Sequence, residues 1–350
     1  MRTSSTRGRG LPRRAAFLLV TLLAALPAAA AGQDASVLGR GVALGASGLR
    51  LGGYLAIDWE KPSQGDATVT FDDLSLFVFG DLTPRVRVFA EVEDSKFWQV
   101  SGGRSRVEHH GDLERLYVEY LHSDVVKIRA GKFLTPVGTW NEVHPDPLTW
   151  TVNRPLASYA TFPTFLTGLL ASGTIDRERG DIEYDLFAQA NPCLDCNTND
   201  RQTERAIGGR LRWHATHGEV GVPVLHYVDR LTRDAVTLSG VHAVAHRDRL
   251  DVRGEATIGR VTSATGDAGS EFAWYVQGVW ALTDRHFLVA QAERARSARD
   301  ETWRAWTAGV LVRPKPGLSL KLDYQQRRGL FPVEEAGSGN RVLASFGVLF

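Results

Sequence analysis

The sequence predicts an all-β fold, a transmembrane antiparallel β-barrel of about 16 strands. Three observations predict it. Strand-like alternation runs through nearly the whole chain, short and long connections take turns between the strands, and the last segment ends on an aromatic residue.

Residues 1–31 are read as a secretory signal peptide. "MRTSSTRGRGLPRR" is basic, "AAFLLVTLLAALP" is a short apolar run, and "AAAAGQ" offers small residues for cleavage after Ala31. A membrane anchor is the rival reading, but the apolar run is short for a spanning helix. Residues 1–31 hold five arginines and no acid, so the 41 Lys+Arg and 40 Asp+Glu of the chain become 36 and 40 without them, a net of −4. The basicity belongs to the leader, and net charge gives no case for a nucleic-acid partner. Residues 32–48 are read as a periplasmic lead-in and 49–350 as the barrel. No Pro/Ser-rich linker divides that stretch, and it holds no second apolar run of helical spanning length. With 43% apolar residues, such an exported chain is either soluble or a membrane barrel.

The strands follow in order. "LRLGGYLAIDW" (49–59) is the first. "ATVTFDDLSLFVFG", "VRVFAEVEDSKFW", "LERLYVEYL" and "VVKIRAGKF" bring the count to five. A long loop intervenes before "TGLLASGTI", "IEYDLFAQA", "AIGGRLRWHA", "EVGVPVLHYV" and "AVTLSGVHAVA". "LDVRGEATIGRV", "EFAWYVQGVWAL", "HFLVAQAERA", "WRAWTAGVLV", "LSLKLDYQQ" and "RVLASFGVLF" complete the set. Alternation is plain in the fifteenth, where Leu318, Leu320, Leu322 and Tyr324 oppose Ser319, Lys321, Asp323 and Gln325. Leu320 is expected to face lipid and Lys321 to face water.

Every other connection is tight: "TPR", "SD", "THG", "DR", "TDR" and "KPG". The intervening ones, such as "SGGRSRVEHHGD", residues 131–163, "NPCLDCNTNDRQTER", "TSATGDAGS" and "GLFPVEEAGSG", are often longer. Periplasmic turns and external loops alternate in this way in outer-membrane barrels. In the last strand Val342, Ala344, Phe346, Val348 and Phe350 share one face, and Phe350 is read as an assembly signal. A barrel also explains charges inside well-patterned strands: Arg87, Glu91, Glu93, Arg115, Glu119, Lys127 and Arg129. In a packed sandwich core each would cost several kcal/mol unless paired. Sixteen strands leave room for water inside, where about eight would be filled by side chains.

"RAGKFLTPVG" (129–138) resembles the strand-to-loop segment of the phosphate-selective porin family, O and P type, and "LRLGGYLAIDW" is similar to that family's first strand. The resemblance implies a 16-stranded outer-membrane channel, commonly trimeric, whose third external loop folds into the lumen. It implies passive diffusion of small hydrophilic solutes or ions, with anions such as phosphate among the candidates. Lipid, lipopolysaccharide, the barrel assembly machinery and further copies of the chain are the partners that follow. Residues 131–163 then form the third outer loop, stiffened by Pro136, Pro145, Pro147 and Pro155. A surface loop pinned at the rim by Trp140 and Trp150 is the alternative. Folded inward, its Trp140, Glu142, His144, Asp146, Asn153 and Arg154 join Lys127 and Arg129 as constriction candidates, with Arg87, Glu91, Arg115 and Glu119 on the wall below. The family's lysine cluster and arginine ladder are not matched. Arg50, Arg210, Arg212 and Arg253 are interspersed with Glu183, Asp185 and Glu255.

Cys193 and Cys196, the only cysteines, are read as a loop disulfide in an oxidising envelope, since two thiols alone make a poor zinc site. His109 and His110 are read as solvated loop residues. No Ser/His/Asp set assembles from spacing, and no phosphate-cradling glycine loop precedes a helix. No cofactor, metal or enzymatic activity is therefore expected. A barrel sleeve around a periplasmic electron carrier is the alternative function.

Overall fold

The computed structural model describes residues 40–109, 111–196, 201–329 and 338–350. The stretch read as a signal peptide, residues 32–39 of the stretch read as a lead-in, His110, residues 197–200 and most of the last outer loop lie outside the described residues.

Sixteen strands form one closed antiparallel barrel. They are β1 (Leu49–Pro62), β2 (Thr68–Thr83), β3 (Val86–Ser101), β4 (Gly111–Leu121), β5 (Lys127–Leu134), β6 (Phe165–Ile175), β7 (Asp181–Gln189) and β8 (Thr203–Ala215). The second half comprises β9 (Gly218–Asp229), β10 (Ala235–Arg247), β11 (Leu250–Thr262), β12 (Ala268–Ala281), β13 (His286–Arg296), β14 (Thr302–Val312), β15 (Leu318–Gly329) and β16 (Gly339–Leu349). Each pairs with its sequence neighbour, and β16 closes on β1 with Phe346 opposite Ile57. Phe350 extends that seam, exchanging two backbone hydrogen bonds with Gly53 at 2.9 and 3.1 Å. No edge is left open to lipid.

Two short strands add to the sixteen. Val42–Ala43, inside the stretch read as lead-in, pairs with the start of β1. The Arg50 guanidinium fixes it there by donating to the carbonyls of Arg40 (2.5 Å) and Gly41 (2.7 Å). Arg104–Val107, read as loop, folds back on the end of β3. The Gly102–Gly103 turn permits this, because both residues have positive φ (55° and 74°), as a two-residue hairpin turn demands.

The alternation is inverted relative to a soluble protein. In β15, Leu320, Leu322 and Tyr324 are exposed while Ser319, Lys321, Asp323 and Gln325 are buried. The apolar side chains therefore clothe the outside and the polar ones line the lumen. Exposed aromatics mark both interfaces, with Tyr120, Trp213 and Trp280 near the short turns and Trp59 and Trp306 towards the long loops. Arg294, Arg304 and Arg328 lie directly opposite one another on β13, β14 and β15 at the long-loop end, exposed on the outer face.

Candidate pore constriction

The third outer loop, 135–164, lies inside the barrel. Thr135 donates its backbone N–H to Thr164 (2.9 Å), and the Asn141 amide donates to the carbonyls of both residues, at 2.8 and 3.2 Å. That neck aims the segment inward. Two apolar contacts seat it. Val137 and Phe162 pack on Leu170, Phe187, Leu225 and Tyr227, across β6 to β9. Trp140, Leu156, Ala157 and Ala160 pack on Ala273, Tyr275, Ala295 and Trp303, across β12 to β14.

Wall carboxylates then take up the loop's main chain. Glu255 accepts the N–H groups of Thr139 (2.5 Å) and Trp140 (3.3 Å), besides the Tyr275 hydroxyl (2.9 Å). Glu293 accepts from Leu156 (2.6 Å) and Asp323 from Val152 (2.7 Å). Gly138 is required here, because a Cβ would lie 2.1 Å from the Glu255 carboxylate and its φ is +69°. Basic residues hold the loop's acceptors. Lys321 Nζ donates to the carbonyls of Asp146 (2.6 Å) and Thr151 (3.0 Å) and to Thr149 Oγ1 (2.6 Å). Arg313 donates to the Leu148 carbonyl (2.9 Å), and Arg201 to that of Ala160 (2.8 Å). Lys321, expected to face water, is instead buried under the loop.

The loop candidates fall into three groups. Glu142 meets Arg210 at 2.6 Å and Arg212 at 3.3 Å, and Arg210 also holds Asp185 at 2.6 Å. Trp140 is buried beneath the Arg253 guanidinium, 4.6 Å from its ring centre. His144, Asp146 and Arg154 lie together against β1 to β3. His144 places a ring nitrogen among the Glu91 and Glu93 carboxylates, and Asp146 places an oxygen among those of Asp58 and Asp72, each set within 4.8 Å. Burial, with Arg154 and Arg115 near, pushes the His144 imidazole well below its ordinary value, so it is neutral at pH 7. Burial pushes Asp146 up, against Lys321 and Arg154. Arg154 stacks over Tyr159 at 5.6 Å. The Asn153 side chain is only half-buried, and its carbonyl accepts from Thr151 Oγ1 at 2.8 Å.

Of the strand candidates, Glu91 and Arg115 border that cluster, and the others lie towards the short turns. Arg129 is bound to Glu119 at 2.7 Å and stacks on Tyr117 at 4.2 Å. Arg115 is bound to Glu91 and stacks on Phe89 at 4.2 Å. Arg87 pairs with Asp81 (2.8 Å) near a short turn. Lys127 opens β5 at its turn end, whereas the loop leaves from Leu134, roughly 23 Å away at the usual strand rise. Among the described residues no contact joins Arg154 to Arg129 or Lys127. In the fourth outer loop Cys193 and Cys196 form a disulfide, and the Asp195 carbonyl accepts from Lys132 Nζ at 2.8 Å.

No family model matches the chain. An uncharacterized protein of Aquifex aeolicus is 31% identical over 121 residues, 33% of this chain and 27% of that protein, so the match spans about a quarter of that relative. Solved barrels are similar in fold. OmpT, an outer membrane protein of Vibrio cholerae, superposes with a TM-score of 0.61 at 11% identity, over 86% of this chain and 97% of that one. An anion-selective porin from Comamonas acidovorans gives 0.60 at 10% identity, over 86% and 99%. The outer membrane channel DcaP of Acinetobacter baumannii gives 0.58 at 11%, over 86% and 97%. With its apolar outer wall and polar lumen, the chain is a bacterial outer-membrane β-barrel.

Proposed function

We propose that the protein is an outer-membrane channel through which small hydrophilic solutes or ions diffuse passively, exported by the leader at 1–31. The observation that carries this reading is the third outer loop, clamped inside a polar lumen by side chains from β8, β11, β13 and β15. A loop held this firmly narrows a passage without closing it by chance motion, and the charges left beside it decide what passes.

Those charges favour cations. Five arginines of the lumen are compensated: Arg115 by Glu91, Arg129 by Glu119, Arg201 by Glu271, Arg210 by Glu142 and Asp185, and Arg253 by Asp251. Opposite them Asp58, Asp72, Glu93 and Asp146 crowd together with fewer basic partners. Phosphate selectivity is disfavoured, because it calls for basic groups with unsatisfied charge. A sleeve around a carrier protein is disfavoured as well, since the chain's own loop occupies the lumen.

The exposed Arg294, Arg304 and Arg328 row fits the phosphates of lipopolysaccharide in the outer leaflet, since like charges directly opposite repel unless an anion bridges them. A homotrimer is the assembly favoured, as OmpT of Vibrio cholerae has a trimer form. The test is swelling of liposomes that carry the purified barrel, in neutral sugars of increasing size. Size-limited swelling supports the channel; impermeability to the smallest sugar from folded protein would refute it.

A further inference from the structure

We propose that Glu91, Glu93 and His144 bind a divalent transition-metal cation, of the zinc class, which ties the third outer loop to β3. The reading stands independently of solute passage.

Each of the three offers one donor atom, and these atoms lie within 4.8 Å of one another. Glu91 and Glu93 are two residues apart on β3, so both point into the lumen. His144 comes down from the loop to meet them. Donors around a tetrahedral ion at about 2.1 Å sit about 3.4 Å apart, so the set has to tighten by roughly 1 Å, within the reach of side-chain rotation.

The imidazole supplies the second observation. His144 is 7% exposed, and neither ring nitrogen has a hydrogen-bond partner. A buried polar group is nearly always paired, because leaving it bare costs about 1–3 kcal/mol. Here a bare ring nitrogen faces two carboxylates.

The carboxylates are already oriented from behind. Ser75 Oγ donates to Glu91 Oε1 at 2.7 Å, Arg115 donates to Glu91 Oε2, and the Tyr54 hydroxyl donates to Glu93 Oε2 at 2.5 Å. Each carboxylate oxygen has two acceptor positions, so these bonds leave capacity for an ion while fixing its ligands. One nitrogen and two carboxylates suit zinc, cobalt or nickel over calcium and magnesium, which take oxygen alone. The neighbouring Asp58, Asp72 and Asp146 group offers only oxygen and is not part of the site.

The test uses the full, metal-stripped barrel in detergent. Zn²⁺ is titrated by calorimetry with excess Mg²⁺ and Ca²⁺ present, and the loaded wild type is read by X-ray absorption. The expected result is one equivalent per protomer, with a single imidazole and oxygen donors in the inner shell. His144→Ala and Glu93→Gln should each weaken uptake by about 10-fold or more, while Asp72→Asn should leave it unchanged. Absence of uptake by the wild type overturns the proposal. So does a shell with no imidazole or more than one, or a His144→Ala protein that binds as before. If the His144 variant does not fold, the wild-type shell and Glu93→Gln still decide.

Discussion

Replacing Lys321 by Met keeps a side chain of similar length on the inner face of β15 and removes its ammonium. The wild-type ammonium makes three hydrogen bonds to the third outer loop, to Asp146 O, Thr149 Oγ1 and Thr151 O, at 2.6 to 3.0 Å. A hydrogen bond to a charged group contributes about 1.5–3 kcal/mol net, and the orphaned acceptors cost about 1–3 kcal/mol each. The three bonds share one desolvated charge, whose removal offsets part of that loss, so the expected destabilisation is about 3–5 kcal/mol. Asp323, two residues on, still holds the Val152 N–H at 2.7 Å, so the loop should loosen over 146–151 without leaving the lumen. Two assays follow. The temperature at which the folded band converts to the unfolded one on a gel should fall, and open-channel current noise should rise. Lys321→Met protein with wild-type stability and quiet current would refute the claim that β15 anchors the loop.

Other substitutions test other faces. Leu322→Arg, on the exposed side of β15 at 54% exposure, should destabilise by about 2–4 kcal/mol if it lies near the midplane, read by urea unfolding in lipid. A near-zero cost would reverse the assigned faces. Arg210→Gln leaves Glu142 and Asp185 without their shared cation, so stability should drop by about 3–5 kcal/mol and cation preference should increase in bilayer recordings. Arg294→Glu with Arg304→Glu should lower the amount of lipopolysaccharide that copurifies, and unchanged retention would remove the outer-rim arginines from the picture.

The strands were legible because lipid and water impose a period of two on every one of them, and the turn parity fixed which ends carry the long loops. Leu320 and Lys321 show how far that reaches. Alternation put one outward and the other inward, as found, but gave Lys321 to water when the loop covers it. An inward charge looks the same in sequence whether it meets solvent or a loop backbone, so Glu255, Glu293 and Asp323 carried no mark of their clamping role. The loop's path is aperiodic. Trp140, Glu142, His144 and Asp146 could be named as candidates from composition, but not which wall each would meet. Alternation turns Lys127 inward on the strand from which the loop leaves, but the length of β5 places it at the end far from the loop. The Glu91, Glu93 and His144 group joins segments about 50 residues apart, at no spacing that a metal motif uses.

The reversal potential of the purified barrel in a KCl gradient across a planar bilayer tests the central claim most directly. At low ionic strength, where surface charges are least screened, discrete openings with a reversal potential on the cation-selective side are expected from the acidic surplus beside the third outer loop. Folded protein that conducts no current, or a reversal potential on the anion-selective side, would contradict it.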